Sequence, residues 1–345
     1  MYREPGTLSA YHRLLVPLSW LYGLGIRLRN ARYDRSPHAS RHVALPVISI
    51  GNITAGGTGK TPIVMETARR LQELGRRPAI LTRGYGAAGR ERSDEVMEFS
   101  EVLPNVPVVV NPDRVAAAET AGSELEVDCV VLDDGFQHRR LERDLDVVVI
   151  DALAPWGGGW VLPAGRLREP LEGLARADLF VISRSNQVAS PAVRQIEAHL
   201  SERAPHAAVL SATVEPETVV YLDGRSENVE ALAYHCVLPV CGIGNPATFL
   251  RIVEQLAGRV CAPLTFRDHQ RYNRRHVRKV AATARRRGAD LVVTTRKDWV
   301  KLAALWPDHA VKAAPELARL DVRLELHDDE GVFDDELRRA LEKRG

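Results

Sequence analysis

A glycine-rich segment, GGTGKTP at residues 56–62, follows an apolar run and precedes an amphipathic stretch. The run PVISIGN predicts a buried strand, and Thr61 to Leu74 predict a helix with Val64, Ala68 and Leu71 on one face. Glycines at such a junction let backbone N–H groups turn inward and, with the helix N-terminus, hold phosphate oxygens. The junction therefore predicts a phosphate-binding loop; the alternative is a glycine turn in a structural βα unit.

The loop departs from the pattern G-x-x-x-x-G-K-[ST] at its first position, where Thr54 replaces glycine. Lys60 is predicted to reach the β- and γ-phosphates, and the Thr61 hydroxyl to ligate Mg²⁺. The residues predicted to bind the nucleotide are Thr54, Ala55, Gly56, Gly57, Thr58, Gly59, Lys60 and Thr61.

Apolar strands and helices alternate from residue 46 onward. Val/Ile/Leu-rich runs recur at VPVVVN, VDCVVLDDG, DLDVVVID and ADLFVISR, and a second alternating set begins near residue 236. Runs of this kind fit parallel strands buried on both faces, with helices on both sides of the sheet. We therefore expect an α/β phosphate-loop protein with two domains of mostly parallel sheet flanked by helices.

The length of 345 residues favours two domains. The predicted parts are a basic and apolar N-terminal segment, a phosphate-loop core domain, a linker with short strands and a smaller C-terminal α/β domain, at residues 1–45, 46–204, 205–235 and 236–345. A stretch rich in Gly and Pro, residues 154–170, predicts a long loop. Long loops in compact domains often carry function.

The first 45 residues carry seven arginines and two acids, which suggests an anionic surface as partner. Their apolar run, LLVPLSWLYGLGI at residues 14–26, is shorter than the roughly 20 residues that span a bilayer. Trp20 and Tyr22 lie within it and Arg27 follows, which fits a helix lying in the membrane surface. The alternative is a helix packed on the protein's own core.

Composition indicates which classes of partner and which cellular compartment to expect. A net charge of +2 does not indicate a nucleic-acid binder. No cleavable signal peptide is evident, and we expect reduced thiols in an intracellular protein, because the cysteines form no C-x-x-C pair. They are Cys129, Cys236, Cys241 and Cys261.

Two adjacent acids, Asp133 and Asp134, stand just past a predicted buried strand. In phosphate-loop enzymes a strand-terminal Asp holds Mg²⁺ beside the loop. Neighbouring side chains of a strand alternate in direction, so one carboxylate can face the metal and the other a neighbouring group. A helix-capping acid pair is the alternative. The glycine loop favours the metal role, and which acid ligates the metal stays open.

Three further sites carry weaker signals. Gln137 and His138 follow the acids, and His138 either binds a substrate phosphate, positions the metal's ligands or lies at the surface. Asp94 follows the second predicted strand and by spacing belongs to a polar loop. Asp268 and His269 form an Asp-His dipeptide, which is weak evidence by itself.

Nine motifs occur in a fixed order: TAGGTGKTP, LTRGYG, SDE, NPDR, VVLDDGFQHRRLERDLDVVVID, GWVLPAGRLREP, CGIGNPATF, FRDHQ and TTRKD. In this set the chain resembles the tetraacyldisaccharide 4′-kinases, the lipid A 4′-kinases of Gram-negative bacteria, from about residue 12 to the last predicted strand. The DDG-x-QH run and the LPAG-x-L-RE loop are not general features of phosphate-loop proteins.

The resemblance implies that ATP, with Mg²⁺, gives its γ-phosphoryl group to the 4′-hydroxyl of a tetraacylated glucosamine disaccharide 1-phosphate. It also implies an active site in the cleft of two α/β domains and a peripheral place on the cytoplasmic face of the bacterial inner membrane. Residues 14–26 then become a membrane anchor that reaches an acylated substrate. Neither a nucleic acid nor an obligate protein partner is expected.

The resemblance further assigns residue roles. Asp94 matches the family's catalytic Asp and would take the sugar hydroxyl proton, with His269 orienting or tuning it. Lys60, Asp134 and His138 complete the implied catalytic set. The implied metal set is Thr61, Asp133, Asp134 and Glu169, the last from the RE pair of the long loop.

The chain departs from the family pattern at Ser93, Gln270 and Arg296, which replace Gly, His and Glu, and none of these removes an assigned catalytic residue. The main rival is a membrane-associated partition or cell-division ATPase. In that class of ATPase a signature lysine precedes the two glycines. Here Ala55 occupies that position, which argues against this function. A second rival, a non-catalytic nucleotide-binding scaffold, has little need for the second acid at Asp134.

Overall fold

The computed structural model describes residues 14–84, 94–268, 270–306 and 315–344. Contacts divide the chain into two compact units. The first comprises Met1–Tyr85, Phe99–Thr213 and Leu324–Gly345, and the second comprises Gly86–Glu98 and Val214–Arg323.

The strands, in chain order, are β1 (Val47–Gly51), β2 (Pro78–Thr82), β3 (Val108–Val110), β4 (Cys129–Asp133), β5 (Leu145–Asp151), β6 (Leu179–Ser183), β7 (Ala208–Tyr221), β8 (Ser226–Asn228), β9 (Cys236–Cys241), β10 (Arg259–Val260), β11 (Leu264–Thr265), β12 (Leu291–Thr295) and β13 (Glu316–His327).

The α-helices are α1 (Val16–Arg35), α2 (Lys60–Glu73), α3 (Asp94–Val102), α4 (Arg114–Glu124), α5 (Ser190–Arg203), α6 (Pro246–Leu256), α7 (Arg274–Arg287), α8 (Arg296–Leu302) and α9 (Val332–Glu342). Two of them show how the sequence fixes their ends. The Asp113 side chain accepts from two backbone N–H groups at the start of α4, and α7 begins at a capping box formed by Asn273 and His276. Gly288, in the left-handed conformation, ends α7.

The sheet of the first unit has the order β7-β6-β5-β1-β4-β2-β3, and all its pairs are parallel. Only the start of β7 belongs to it. Strands β1, β2, β4, β5 and β6 are buried along their whole length, as expected for a parallel sheet covered on both faces.

Both faces of this sheet pack against helices. On one face Ile48 and Ile50 contact a cluster that includes Val64 of α2 and Phe333 of α9. On the other face α4 and α5 pack, through clusters that contain Val115 among others. The carboxyl ends of β1, β4, β5 and β6 meet at one edge, which is where open parallel sheets bind ligands.

The strands of the second unit pair in the order β10-β9-β12-β13-β7, with β11 parallel to β9 and β8 antiparallel to β7. Phe249 of α6 and Val280 of α7 belong to its two apolar clusters. The predicted α/β class, with mostly parallel strands flanked by helices, is therefore confirmed.

The division of the chain differs from the predicted boundaries. The last 22 residues, Leu324–Gly345, belong to the first unit, whereas the sequence placed them in the C-terminal domain. The reason is that Phe333 and Leu337 of α9 are fully buried in the first unit's core. Residues 205–235, predicted as a linker with short strands, contain the 14-residue strand β7 and the short strand β8.

Candidate active site

The phosphate loop runs between β1 and α2, as the sequence predicts. Gly56 and Gly59 have φ angles of 111° and 82°, which glycine adopts readily and other residues rarely do. Gly59 stands immediately before α2 and has no side chain to cap it, so the first N–H groups of the helix stay available for a phosphate. Thr54 has an ordinary φ angle, so this loop does not need glycine there.

Asn52 organises the inside of the loop. Its fully buried side chain donates from Nδ2 to the Thr54 carbonyl oxygen and to Thr58 Oγ1, both at 2.8 Å. Its Oδ1 accepts from Lys60 Nζ at 3.2 Å. One amide thus fixes the start of the loop, its middle and the lysine that would contact the phosphates. Sequence analysis missed this residue, although a polar side chain directly after a buried strand was a usable signal.

The long loop of residues 154–170, which contains no α-helix or strand, pairs with the phosphate loop. Ala55 N donates to the Arg166 carbonyl oxygen at 2.6 Å, and Arg168 N donates to the Ile53 carbonyl oxygen at 2.7 Å. The Arg166 guanidinium also donates to the Ala55 carbonyl oxygen. These contacts hold the outer edge of the phosphate loop against the LREP segment.

A buried ion pair supports the other side of the loop. Arg184 and Asp151 lie 2.6 Å apart at the ends of the neighbouring strands β6 and β5, and Arg184 also donates to the Gly57 carbonyl oxygen at 2.9 Å. Ser183 Oγ donates to the Thr58 carbonyl oxygen at 2.8 Å. Sequence analysis missed this pair; a polar residue at the carboxyl end of each of two adjacent strands was the available signal.

The acid pair lies where the sequence places it, at the end of β4. Asp133 is buried, and its Oδ2 accepts from Thr82 Oγ1 at 3.1 Å. Asp134 has a positive φ of 55°, and both its oxygens accept from Arg168 Nη1, at 2.7 and 2.6 Å. Lys60 Nζ lies 3.3 Å from Asp134 Oδ1. The pair and the loop lysine therefore form one cluster.

The charge state of Asp134 follows from its neighbours. Burial alone would raise the pKa of this carboxyl, but the positive charges of Lys60 and Arg168 outweigh burial and hold the pKa below its ordinary value of 3.8. Asp134 is therefore ionised near neutral pH. An ionised carboxylate beside a phosphate loop is the hard oxygen ligand that Mg²⁺ prefers.

Glu169 is fully buried, and both of its oxygens are engaged. Gln137 Nε2 donates to Oε1 at 2.7 Å, while Arg176 and Asn30 donate to Oε2 at 2.8 and 3.2 Å. A metal ion at Glu169 would have to displace an arginine or an amide. These contacts favour a positioning role over the predicted metal-ligand role.

His138 follows the acid pair and is partly buried. Burial, followed by the nearby positive charge of Arg114, lowers its pKa to about 4. The ring is therefore neutral near pH 7, so any bond to a substrate phosphate would come from a neutral N–H donor. Its Nε2 is buried and has no hydrogen-bond partner within the described part of the chain.

The two residues of the implied proton-transfer pair cannot be placed. Asp94 is the first residue of α3, but its side chain is not among those described, and His269 lies outside the described residues. Ser93 also lies outside them. Asp268 is described, and its Oδ1 lies 3.3 Å from Lys297 Nζ. The structure therefore brings together Lys60, Asp133 and Asp134, and the proton-transfer pair remains a prediction.

The donor set fits Mg²⁺ of the phosphate-loop type. Within the described residues no group of three His, Cys, Asp or Glu side chains is placed to hold a metal ion. A phosphate-loop magnesium does not need one, because it uses one hydroxyl, one carboxylate, phosphate oxygens and water. Thr61, the second residue of α2, and the two aspartates are the side chains of that kind at this site.

Comparison with known proteins decides among the candidate functions. A family model described as tetraacyldisaccharide-1-P 4′-kinase (LpxK) matches residues 11–342. The chain belongs to the tetraacyldisaccharide 4′-kinase family. It is therefore an enzyme and a kinase, and membership in this family argues against the rival partition-type ATPase.

Individual members of the tetraacyldisaccharide 4′-kinase family match over most of the chain. The relative from Syntrophus aciditrophicus is 36% identical over 335 residues, which cover 88% of this chain and 89% of that protein. The relative from Anaeromyxobacter sp. (strain Fw109-5) is 39% identical over 332 residues, covering 91% and 88%. A solved structure of LpxK from Aquifex aeolicus in complex with ATP has 26% identity and a TM-score of 0.73, with coverage of 96% and 99%.

Proposed function

We propose that this kinase transfers the γ-phosphoryl group of ATP to the 4′-hydroxyl of a tetraacylated glucosamine disaccharide 1-phosphate, a lipid A precursor. The observation that carries the proposal is the cluster of Lys60, Asp133 and Asp134 at the phosphate loop of a chain that belongs to this family. The order of the family motifs over nearly the whole sequence supports the same substrate.

In this proposal the phosphate loop, residues 54–61, surrounds the nucleotide's phosphates with backbone N–H groups, and Lys60 contacts the β- and γ-phosphates. Thr61 and the Asp133/Asp134 pair would hold Mg²⁺, which would neutralise charge on the transferring group. In phosphoryl transfer, positioning and charge neutralisation supply most of the rate, so both acids are expected to matter as much as a base.

For the acceptor, we propose that Asp94 takes the proton of the sugar hydroxyl and that His269 orients Asp94. Asp94→Ala is then expected to lose most of kcat while nucleotide affinity stays unchanged. A collapse of nucleotide binding in this variant would instead make Asp94 a metal ligand or a structural residue. Measuring kcat by phosphate transfer and Kd with a fluorescent ATP analogue separates the two outcomes.

We further propose that α1 contacts the cytoplasmic surface of the inner membrane. No helix in the described ranges is long and apolar enough to cross a bilayer. Large apolar side chains of α1 nevertheless face outward: Leu18, Trp20, Leu21, Leu24 and Leu28 are exposed by 53% to 70%. An apolar helix face of this kind, with arginines beside it, fits the interfacial region of a membrane.

A cavity of about 890 Å³ lies between α1 and the long loop, lined mostly by apolar side chains that include Leu24, Trp160 and Val161. Its position beside the outward face of α1 supports an acceptor with acyl chains. Arg27 and Arg203 also line it, which suits a lipid that carries a phosphate.

The decisive experiment measures ADP release by the purified chain with MgATP, with and without a tetraacylated disaccharide 1-phosphate in detergent micelles. We expect ADP release that depends on the acceptor. A matched acceptor that already carries a 4′-phosphate is the control and should give none. ADP release that is independent of both lipids would contradict the proposal and favour an ATPase.

A further inference from the structure

Helix α1 has a second, polar face that contacts the site. Tyr22 OH donates to the Arg168 carbonyl oxygen at 2.8 Å, and Asn30 Nδ2 donates to Glu169 Oε2 at 3.2 Å. Arg29 Nη2 donates to the Gln137 carbonyl oxygen at 3.0 Å. Three side chains of α1 thus bond to the residues that line the phosphate loop and the acid pair.

The residues that α1 holds are those that position the site. Arg168 is the arginine that binds both oxygens of Asp134. Gln137 donates from Nε2 to the Asn52 carbonyl oxygen at 2.8 Å as well as to Glu169. Asn52 in turn holds Lys60. Between one and three hydrogen-bonded residues therefore separate each of these α1 side chains from a group that would touch the nucleotide or its metal.

The contact surface beneath α1 is small and specific rather than broadly apolar. Ser19 and Gly23 are its buried residues. Ser19 Oγ accepts from Ala164 N at 2.8 Å, and a side chain on Gly23 would meet Val161. Because little apolar area holds α1 to the protein, its position depends on a few hydrogen bonds, and a lipid surface on its outer face would add a comparable stabilisation.

We propose that α1 is a positioning element of the phosphoryl-transfer site, so that lipid bound to its outer face strengthens the binding of Mg-nucleotide. The inference rests on the proposed membrane contact of α1. By thermodynamic linkage, the factor by which bound lipid strengthens nucleotide binding equals the factor by which bound nucleotide strengthens lipid binding. Tyr22 and Asn30 are the positioning residues that transmit this coupling.

The test measures the Kd of a fluorescent ATP analogue with Mg²⁺ for the full chain, with and without vesicles of phosphatidylethanolamine and phosphatidylglycerol. The vesicles contain no acceptor, so delivery of a lipid substrate cannot produce the effect. We expect the Kd to fall about fivefold, at the lower end of typical coupling between sites, when vesicles bind the protein.

The variant that breaks the coupling is Tyr22→Phe combined with Asn30→Ala. It leaves the outward apolar side chains intact, so we expect the fraction bound to vesicles to equal that of the wild type. Its nucleotide Kd should no longer respond to vesicles, and kcat on the acceptor in micelles should fall about tenfold, which corresponds to about 1.4 kcal/mol from the loss of the two hydrogen bonds.

Tyr33→Phe is the matched control. Tyr33 lies on the same helix, where its ring stacks under Arg139, and its hydroxyl has no hydrogen bond to any residue that the structure describes. This variant should behave as the wild type. If melting by circular dichroism shows the double variant unfolded, Tyr22→Phe alone, which keeps the aromatic ring, carries the test.

Three results would overturn the coupling. They are a wild-type Kd that vesicles leave unchanged, a wild type that does not bind vesicles, and a folded variant that keeps the vesicle effect. Because nucleotide binding is measured without acceptor, the coupling is tested separately from the reaction. A chain that shows the coupling but transfers no phosphate to the acceptor contradicts the proposed function and leaves the coupling intact.

Discussion

Arg168 Nη1 lies 2.7 and 2.6 Å from the two carboxylate oxygens of Asp134. Lys60 Nζ lies 3.3 Å from the same carboxylate, so two cations share one acid beside the phosphate loop. The phosphates of a nucleotide are negatively charged, as this carboxylate is. The two cations and the acid are therefore positioned before a nucleotide binds. When it binds, its phosphates can contact the same two cations.

Arg168→Lys tests this arrangement. Lysine presents one point charge and cannot reproduce the geometry of the guanidinium. Because a hydrogen bond to a charged group contributes about 1.5–3 kcal/mol, we expect kcat to fall at least about tenfold. Arg194→Lys, at an exposed position of α5, is the matched control and should keep full activity. Equal kcat values for the two variants would show that Arg168 does not position Asp134.

The two acids can be separated by Asp133→Asn and Asp134→Asn. Asparagine keeps the shape and loses the negative charge, and loss of a metal ligand or of a group that stabilises the transition state commonly costs about 10²–10³ in kcat. We expect the ligand of Mg²⁺ to be the acid whose replacement also raises the Mg²⁺ concentration needed for half-maximal rate. The Mg²⁺ dependence of the initial rate measures this. If the Mg²⁺ dependence is unchanged in both variants, neither acid is a ligand of the metal.

Asn52→Ala probes the interior of the phosphate loop. The variant leaves a carbonyl oxygen, the Thr58 hydroxyl and Lys60 without the partner they have in the wild type. Buried groups that lose a partner cost about 1–3 kcal/mol, so urea unfolding should show a loss of that size, and KM for ATP should rise. Asn105→Ala, in an exposed turn, should change neither quantity. A stable variant with unchanged KM would show that Asn52 does not hold the loop.

Much of the site was predictable because it depends on local sequence. The glycine loop, Lys60 and the acid pair follow from a strand-to-helix junction and a strand end, and parallel strands place those ends together. The family resemblance singled out Glu169 as a candidate site residue. Its contacts were not predictable, because Gln137, Arg176 and Asn30 reach it from distant parts of the chain. The place of α9 in the first unit depends in the same way on long-range packing, which no local pattern contains.

Gly56→Ala and Gly57→Ala form a matched pair within one loop. A Cβ at Gly56 would meet Arg166 Nη2, and the φ of 111° disfavours any other residue there, whereas a Cβ at Gly57 would meet nothing within 4 Å. We expect Gly56→Ala to lose about 1–2 kcal/mol of unfolding free energy and Gly57→Ala less than about 0.5 kcal/mol, measured without nucleotide. Equal losses would mean that the loop adopts another conformation.

The pH dependence of stability tests the environment of His138. Burial lowers its pKa to about 4 from the ordinary value of 6.5. Between those two values the unfolded chain binds a proton at this residue and the folded chain does not, so its contribution to stability falls as pH falls from 6.5 towards 4. His138→Gln removes the titration. We therefore expect the Tm of the wild type to fall more steeply than that of His138→Gln across this range, with parallel curves above pH 7. If Tm changes with pH at the same rate in both proteins between pH 6.5 and 4, the pKa of His138 is not lowered and its ring is in contact with water.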